Sequence, residues 1–128
     1  MDKCYIYILK LTDGKYYVGR SDNPRQRIEE HKIGGASTWT DKYHYVKTLK
    51  IQKGDIYDED KYTLMNMDFY GIENVRGGTF CQIILDDDDI KVIKRMIANA
   101  NDECARCFNS SHFVGDCYAK KDKYGDIL

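Results

Sequence analysis

Apolar and polar residues alternate through the first twenty positions and then change period, and that change marks the first elements. Lys3 to Leu11 alternates with period two and is rich in Tyr and Ile, which predicts a half-buried strand. Thr12-Asp13-Gly14 reads as a turn, and Lys15 to Arg20 as a second, returning strand. Loop length decides which side chains share a face. A two-residue loop at Asp13-Gly14 sets Leu9 against Val18 and sends Tyr7 and Tyr17 to opposite sides. An odd loop, Thr12 to Gly14, sets Leu9 against Tyr17 and brings both tyrosines to one side, because side chains alternate with period two. A site shared by the two tyrosines requires the odd loop, with Gly14 at positive φ.

Asn23-Pro24 then supplies a helix cap followed by proline at the first helical position, and the helix runs to about Lys32, before Gly34-Gly35. Trp39-Thr40, with Trp39 expected in the core, leads into a third strand, Tyr43 to Gln52, closed by a turn at Lys53-Gly54-Asp55. Glu59 to Tyr70 reads as a second helix with Gly71 as its C-cap. Tyr62, Met65 and Phe69, spaced by three and four, are expected on its core face. Asn74 to Gly78 reads as a loop and Thr79 to Leu85 as a short strand or extended arm. The acidic run Asp86 to Asp89 precedes the apolar-periodic stretch from Ile90. Carboxylates are favoured there by the helix dipole, so capping is preferred over a metal site.

These elements describe an α+β fold, an α/β sandwich with a small central antiparallel three-stranded sheet flanked by helices. The expected organisation is a first domain over 1–85, a connecting helix over 86–103, a small cysteine-rich segment over 104–117 and a tail over 118–128. At 128 residues one compact domain with an appendage is the expectation. No apolar run nears the roughly 18 residues that span a membrane, and the N-terminus has no signal-peptide pattern. A soluble, intracellular protein with no membrane partner is expected. Five cysteines argue against a closed disulfide framework, and Cys4 and Cys81 read as buried free thiols. Net charge is −1, but residues 1–50 hold ten Lys/Arg against six Asp/Glu and residues 51–103 hold six against twelve. The basic first part suits phosphates near Arg20, Arg25, Arg27 and Lys32.

The chemistry concentrates between Tyr5 and His31, where Tyr5-Ile6-Tyr7 and Tyr17-Val18-Gly19 form two triplets on the paired strands. Arg27 follows Tyr17 by ten residues, and His31 follows Arg27 by one helical turn, on the same helix face. This stretch resembles the GIY-YIG nuclease family, with Tyr5 in place of the first Gly and Val18 in place of Ile. The resemblance implies an endonuclease that hydrolyses phosphodiester bonds with one divalent cation, Mg²⁺ or Mn²⁺, on a single glutamate. It further implies that Arg27 contacts the scissile phosphate, a role suited to its five fixed donors and permanent charge. Tyr7 and Tyr17 are both implied to handle water, and a phenol near pKa 10 needs help to act as a base. For His31 a base or phosphate contact competes with a solvent-facing histidine at a helix end. Glu59, at the start of the second helix, is favoured as metal ligand, ahead of Asp60 and Glu73. Asn74 matches an asparagine often found after that helix. Arg20 and Asn74 are candidate substrate contacts.

Near the C-terminus Cys104, Cys107, His112 and Cys117 have the spacing C-x2-C-x4-H-x4-C. This resembles a zinc knuckle of the retroviral nucleocapsid type, and three thiolates with one imidazole suit tetrahedral Zn²⁺. Phe108 and Ser111 stand where such knuckles usually carry Gly. Phe108 and Phe113 are candidate aromatic contacts to nucleic acid. A nuclease fused to one knuckle resembles arrangements in large DNA viruses, which places its action in a host cell. The leading expectation is a metal-dependent DNA endonuclease aided by the knuckle. The alternatives are a non-cleaving nucleic-acid-binding protein with a nuclease-like fold and a zinc-dependent protein-interaction module. Oligomeric state has no signature in the sequence.

Overall fold

The computed structural model describes residues 4–104, 106–108 and 117–127; the expected ligand His112 and the aromatic Phe113 lie outside them. The chain divides into two compact units, one ending at Leu85 and one beginning at Asp86. In the first, the strands Tyr5–Leu11 (β1) and Tyr16–Ser21 (β2) pair antiparallel. Thr12–Gly14 between them is a three-residue turn with Gly14 at φ +68°. Leu9 therefore opposes Tyr17, as the odd loop requires, and Tyr7 and Tyr17 share a face.

The next helix, Pro24–Ile33 (α1), is capped by Asn23, whose side chain accepts from the Gln26 amide. A short helix, Thr38–Lys42 (α2), follows with Ser37 as its cap. It is absent from the sequence reading, because five residues carry no helical period that a pattern can show. The strand Tyr45–Lys53 (β3) pairs antiparallel with β1, and the helix Asp58–Tyr70 (α3) ends at Gly71.

The sheet has four strands rather than three. Val75–Gly77 (β4), inside the stretch read as a loop, pairs parallel with β2 and gives the order β3-β1-β2-β4. Among the described residues Thr79–Leu85 forms no strand beyond a single bridge between Gly77 and Phe80. Three residues including Arg and Gly carry no strand signal, but Arg76 shows why the segment is ordered. Its buried guanidinium donates to the carbonyls of Ile72, Gln82 and Ile83 and stacks 4.5 Å above the Trp39 ring.

Tyr7, Leu9, Leu11 and Tyr17 pack with Ile28 of α1 and Trp39 of α2 on one face of the sheet. α3 packs on β2 and β4, with Thr63 and Met67 buried. The expected inward stripe of α3 is corrected here: Met65 is 54% exposed and Phe69 81%. The helix turns Thr63, beside Gly77 and Val18, and Met67 one turn later toward the core, which leaves Met65 and Phe69 on the outer faces. Cys81 is also exposed rather than buried, because its segment is not a strand.

In the second unit Asp87–Ala100 (α4) is capped by Asp86, whose carboxylate accepts from the Asp89 amide at 2.8 Å. Ile93, Ile97 and Ala98 are its buried residues. Lys121 and Ile127 bridge across a turn at the C-terminal end, and Lys94 pairs with Asp126 at 3.1 Å.

Candidate active site

The hairpin register brings the two motif tyrosines together with ring centroids 6.3 Å apart. Tyr7 pairs with Gly19 across the strands, and its ring lies over that glycine. A Cβ at position 19 would collide with the Tyr7 ring and hydroxyl, so this close approach requires glycine.

α1 lays His31 against both tyrosines, 5.6 Å from the Tyr7 ring and 4.8 Å from the Tyr17 ring. His31 is 2% exposed, so the reading of a solvent-facing histidine is set aside. Its Nε2 lies 2.8 Å from the Tyr7 hydroxyl and its Nδ1 2.9 Å from Thr40 Oγ1. Either tautomer satisfies the chain. In one, Thr40 donates to the Ser37 carbonyl, His31 Nδ1–H donates to Thr40, and Tyr7 O–H donates to Nε2; in the other, Ser37 Oγ donates to Thr40, Thr40 to Nδ1, and Nε2–H to Tyr7. Burial foremost, and Arg27 second, lower the imidazole to about 4, so it is neutral at ordinary pH. Thr40 and Ser37 were not among the sequence candidates. Ser37 has an N-cap residue type, but nothing local shows that Thr40 reaches His31.

Arg27 lies one turn before His31. Its guanidinium bonds the Glu30 carboxylate at 2.6 Å and the Ala36 carbonyl at 3.2 Å, and its charge acts on the Tyr7 phenol against the effect of burial. It remains half-exposed, so solvent or a ligand can reach it.

Three acidic residues compete as metal ligand, Glu59 and Asp60 in the first turn of α3 and Glu73 after its end, and their surroundings differ. Asp60 is committed to the turn after β4, accepting from the Thr79 amide at 2.8 Å and its hydroxyl at 2.7 Å. Glu73 is exposed in the short turn Ile72–Asn74. Glu59 is half-buried, and the charge of Arg20 acts on its carboxylate. β4 pairs with β2 only as far as Val18, and Glu59 approaches β2 beyond that point. Burial raises its carboxyl above the usual glutamate range, Arg20 opposes this, and Asp60 adds to it.

The tyrosines feel the same charges unequally. Burial and then Glu59 push Tyr17 up to about 12, while Arg27 opposes. Burial and then Tyr17 push Tyr7 up as well, opposed by the charge of Arg27. Glu59 thus couples chiefly to Tyr17, and Arg27 and His31 to Tyr7. Tyr7, Tyr17, Arg27, His31 and Glu59, from four elements, form one cluster. Arg20 borders it, its guanidinium donating to the Ile56 carbonyl at 3.1 Å. Asn74 does not join it. Its amide donates to the Tyr70 carbonyl and accepts from Lys15 Nζ, both at 2.8 Å, near the other end of β2.

In the second unit the Sγ atoms of Cys104, Cys107 and Cys117 lie within 4.8 Å of one another. Tetrahedral Zn–S bonds of about 2.3 Å place sulfurs about 3.8 Å apart, so the set fits one zinc ion. The Arg106 and Cys107 amides point at Cys104 Sγ at 3.3 and 3.4 Å, which suits a thiolate. Phe108, a candidate nucleic-acid contact, is 7% exposed and packs edge-on against Tyr124, so its ring is part of the fold.

No curated protein and no solved structure matches the chain. Residues 3–63 match the family model described as the GIY-YIG catalytic domain.

Proposed function

Because residues 3–63 carry a GIY-YIG catalytic domain, the hallmark of a nuclease family, we propose that this protein is a metal-dependent endonuclease hydrolysing phosphodiester bonds in DNA. The observation that carries the reading is the buried Tyr7–His31–Thr40 chain flanked by Arg27 on one side and Glu59 on the other.

Arg27 binds the scissile phosphate and stabilises the charge that builds on its oxygens. Its positive charge also favours the ionised form of the Tyr7 phenol. Tyr7 takes the proton of the attacking water and passes its own to His31 Nε2, which is neutral and accepts it in the Nδ1–H tautomer. In that tautomer Nδ1–H donates to Thr40. Tyr17, nearer Glu59, positions the water. Glu59 holds the divalent cation, Mg²⁺ or Mn²⁺. A partly buried carboxylate with raised pKa gains from such a counter-charge, so the residue fits the role. The cation supplies Lewis acidity and stabilises the leaving oxygen when bound.

Cys104, Cys107 and Cys117 hold Zn²⁺, with His112 as fourth ligand by its spacing. This knuckle adds nucleic-acid affinity. The test is incubation of plasmid, single-stranded and branched DNA with and without added Mg²⁺ or Mn²⁺. Cutting that requires the cation supports the reading. Binding without cutting, by folded zinc-loaded protein, would favour a non-cleaving module.

A further inference from the structure

The sheet face opposite Tyr7 and Tyr17 carries its own concentration of charge. Lys10 of β1 and Lys47 of β3 are direct cross-strand partners, an arrangement that costs stability when left unused. Lys50 opposes Ile8. Lys47 and Lys50 are three residues apart, and plain alternation would send them to opposite faces. The irregularity between Ile8 and Leu9 skips Leu49 in the pairing and returns both lysines to one face. β1 and β3 contain no Asp or Glu. Among the described residues these three ammonium groups have no ion-pair or hydrogen-bond partner.

The row continues in aromatic residues. Lys10 pairs with Tyr16 on its other side, and Tyr16 stacks on Tyr70 with centroids 3.8 Å apart. Phe69 meets Tyr70 edge-on at 4.7 Å and is itself 81% exposed. Lysine on an edge strand guards against strand pairing. That accounts for Lys47 and Lys50 but not for Lys10, which lies on an interior strand, nor for the exposed ring beyond Tyr70.

We propose that Lys47, Lys50, Lys10, Tyr16, Tyr70 and Phe69 form a second nucleic-acid surface, one that binds single-stranded DNA on the face opposite the catalytic tyrosines. The lysines complement the phosphates, and the aromatic end stacks on unpaired bases, a pairing of features that suits a single strand over a duplex. The choice of DNA rests on the nuclease reading, but the surface is tested by binding alone.

The probe is a labelled oligothymidine, titrated with the full zinc-loaded chain without added Mg²⁺ or Mn²⁺. Lys10→Gln/Lys47→Gln/Lys50→Gln should weaken binding about tenfold or more and flatten the log–log salt dependence by about two, as expected for three lost phosphate contacts. Phe69→Ser should weaken the single strand severalfold with the salt slope unchanged and leave duplex binding alone. Lys47, Lys50 and Phe69 are exposed and Lys10 is half-exposed, and far-UV circular dichroism checks the fold of each variant. Oligothymidine affinity within twofold of wild type in the triple variant would overturn the proposal. So would equal losses for duplex and single strand combined with a silent Phe69→Ser. Wild-type cleavage is scored separately. Cutting by wild type with unchanged binding in the variants rejects the surface alone, whereas weakened binding in the variants beside a wild type that binds but never cuts keeps the surface and rejects the nuclease.

Discussion

The Tyr7 hydroxyl and His31 Nε2 lie 2.8 Å apart in a buried contact that links the first strand of the sheet to the end of α1. If the two act as one proton path, their losses should not add. Tyr7→Phe should lower cleavage by about two to four orders of magnitude, and the double variant Tyr7→Phe/His31→Gln should be little worse than the more damaging single. Single-turnover rates check this, and multiplicative losses would separate the residues.

The same histidine makes stability depend on pH. Its folded pKa, about 4, lies below the ordinary value of 6.5, so the unfolded chain binds a proton that the folded chain resists. Stability from this group is complete above pH 6.5 and falls as pH drops toward 4, by an amount on the order of 3 kcal/mol. Urea unfolding across pH 4 to 7 should show the loss, and His31→Gln should flatten it.

Arg27→Ala should reduce cleavage by about two to three orders of magnitude, as for loss of an electrostatic contact to the transition state. Its partners are a surface carboxylate, Glu30, and one carbonyl, so the fold should survive. Circular dichroism and cleavage rates on the same sample check both parts, and near-normal turnover would remove Arg27 from the site.

Local rules explain which parts of this account were legible in the sequence. The hairpin turn, the shared face of Tyr7 and Tyr17 and the Asn23-Pro24 helix start follow from period, turn chemistry and capping within a few residues. β4 was hidden because Val75-Arg76-Gly77 is ordered by distant partners, namely the β2 edge and the carbonyls that surround Arg76. The outward Met65 and Phe69 show a similar limit. A three-four spacing marks a stripe on α3 but not which way the helix turns it. At the site, spacing placed Arg27 and His31 together, while the burial of His31 and its bond to Thr40 depend on α2, a helix too short to announce itself.

Zinc in the second unit should be separable from the first unit's fold. Cys107→Ser should release zinc, measured by a chromogenic chelator, and weaken nucleic-acid binding while the thermal transition of residues 4–85 stays in place. Unchanged binding would show that the knuckle is not the anchor for nucleic acid.

Glu59 and Asp60 are adjacent in sequence and opposite in role: Asp60 is bound to the Thr79 turn, and Glu59 lies beside Tyr17 and Arg20. The decisive measurement is cation-dependent cleavage by wild type, Glu59→Gln and Asp60→Asn, each checked for folding. Wild type should cut only with Mg²⁺ or Mn²⁺, Glu59→Gln should be inactive though folded, and Asp60→Asn should keep cation-dependent cutting with a lowered melting temperature. Full activity in Glu59→Gln, or no cutting by wild type at any cation concentration, would contradict the account.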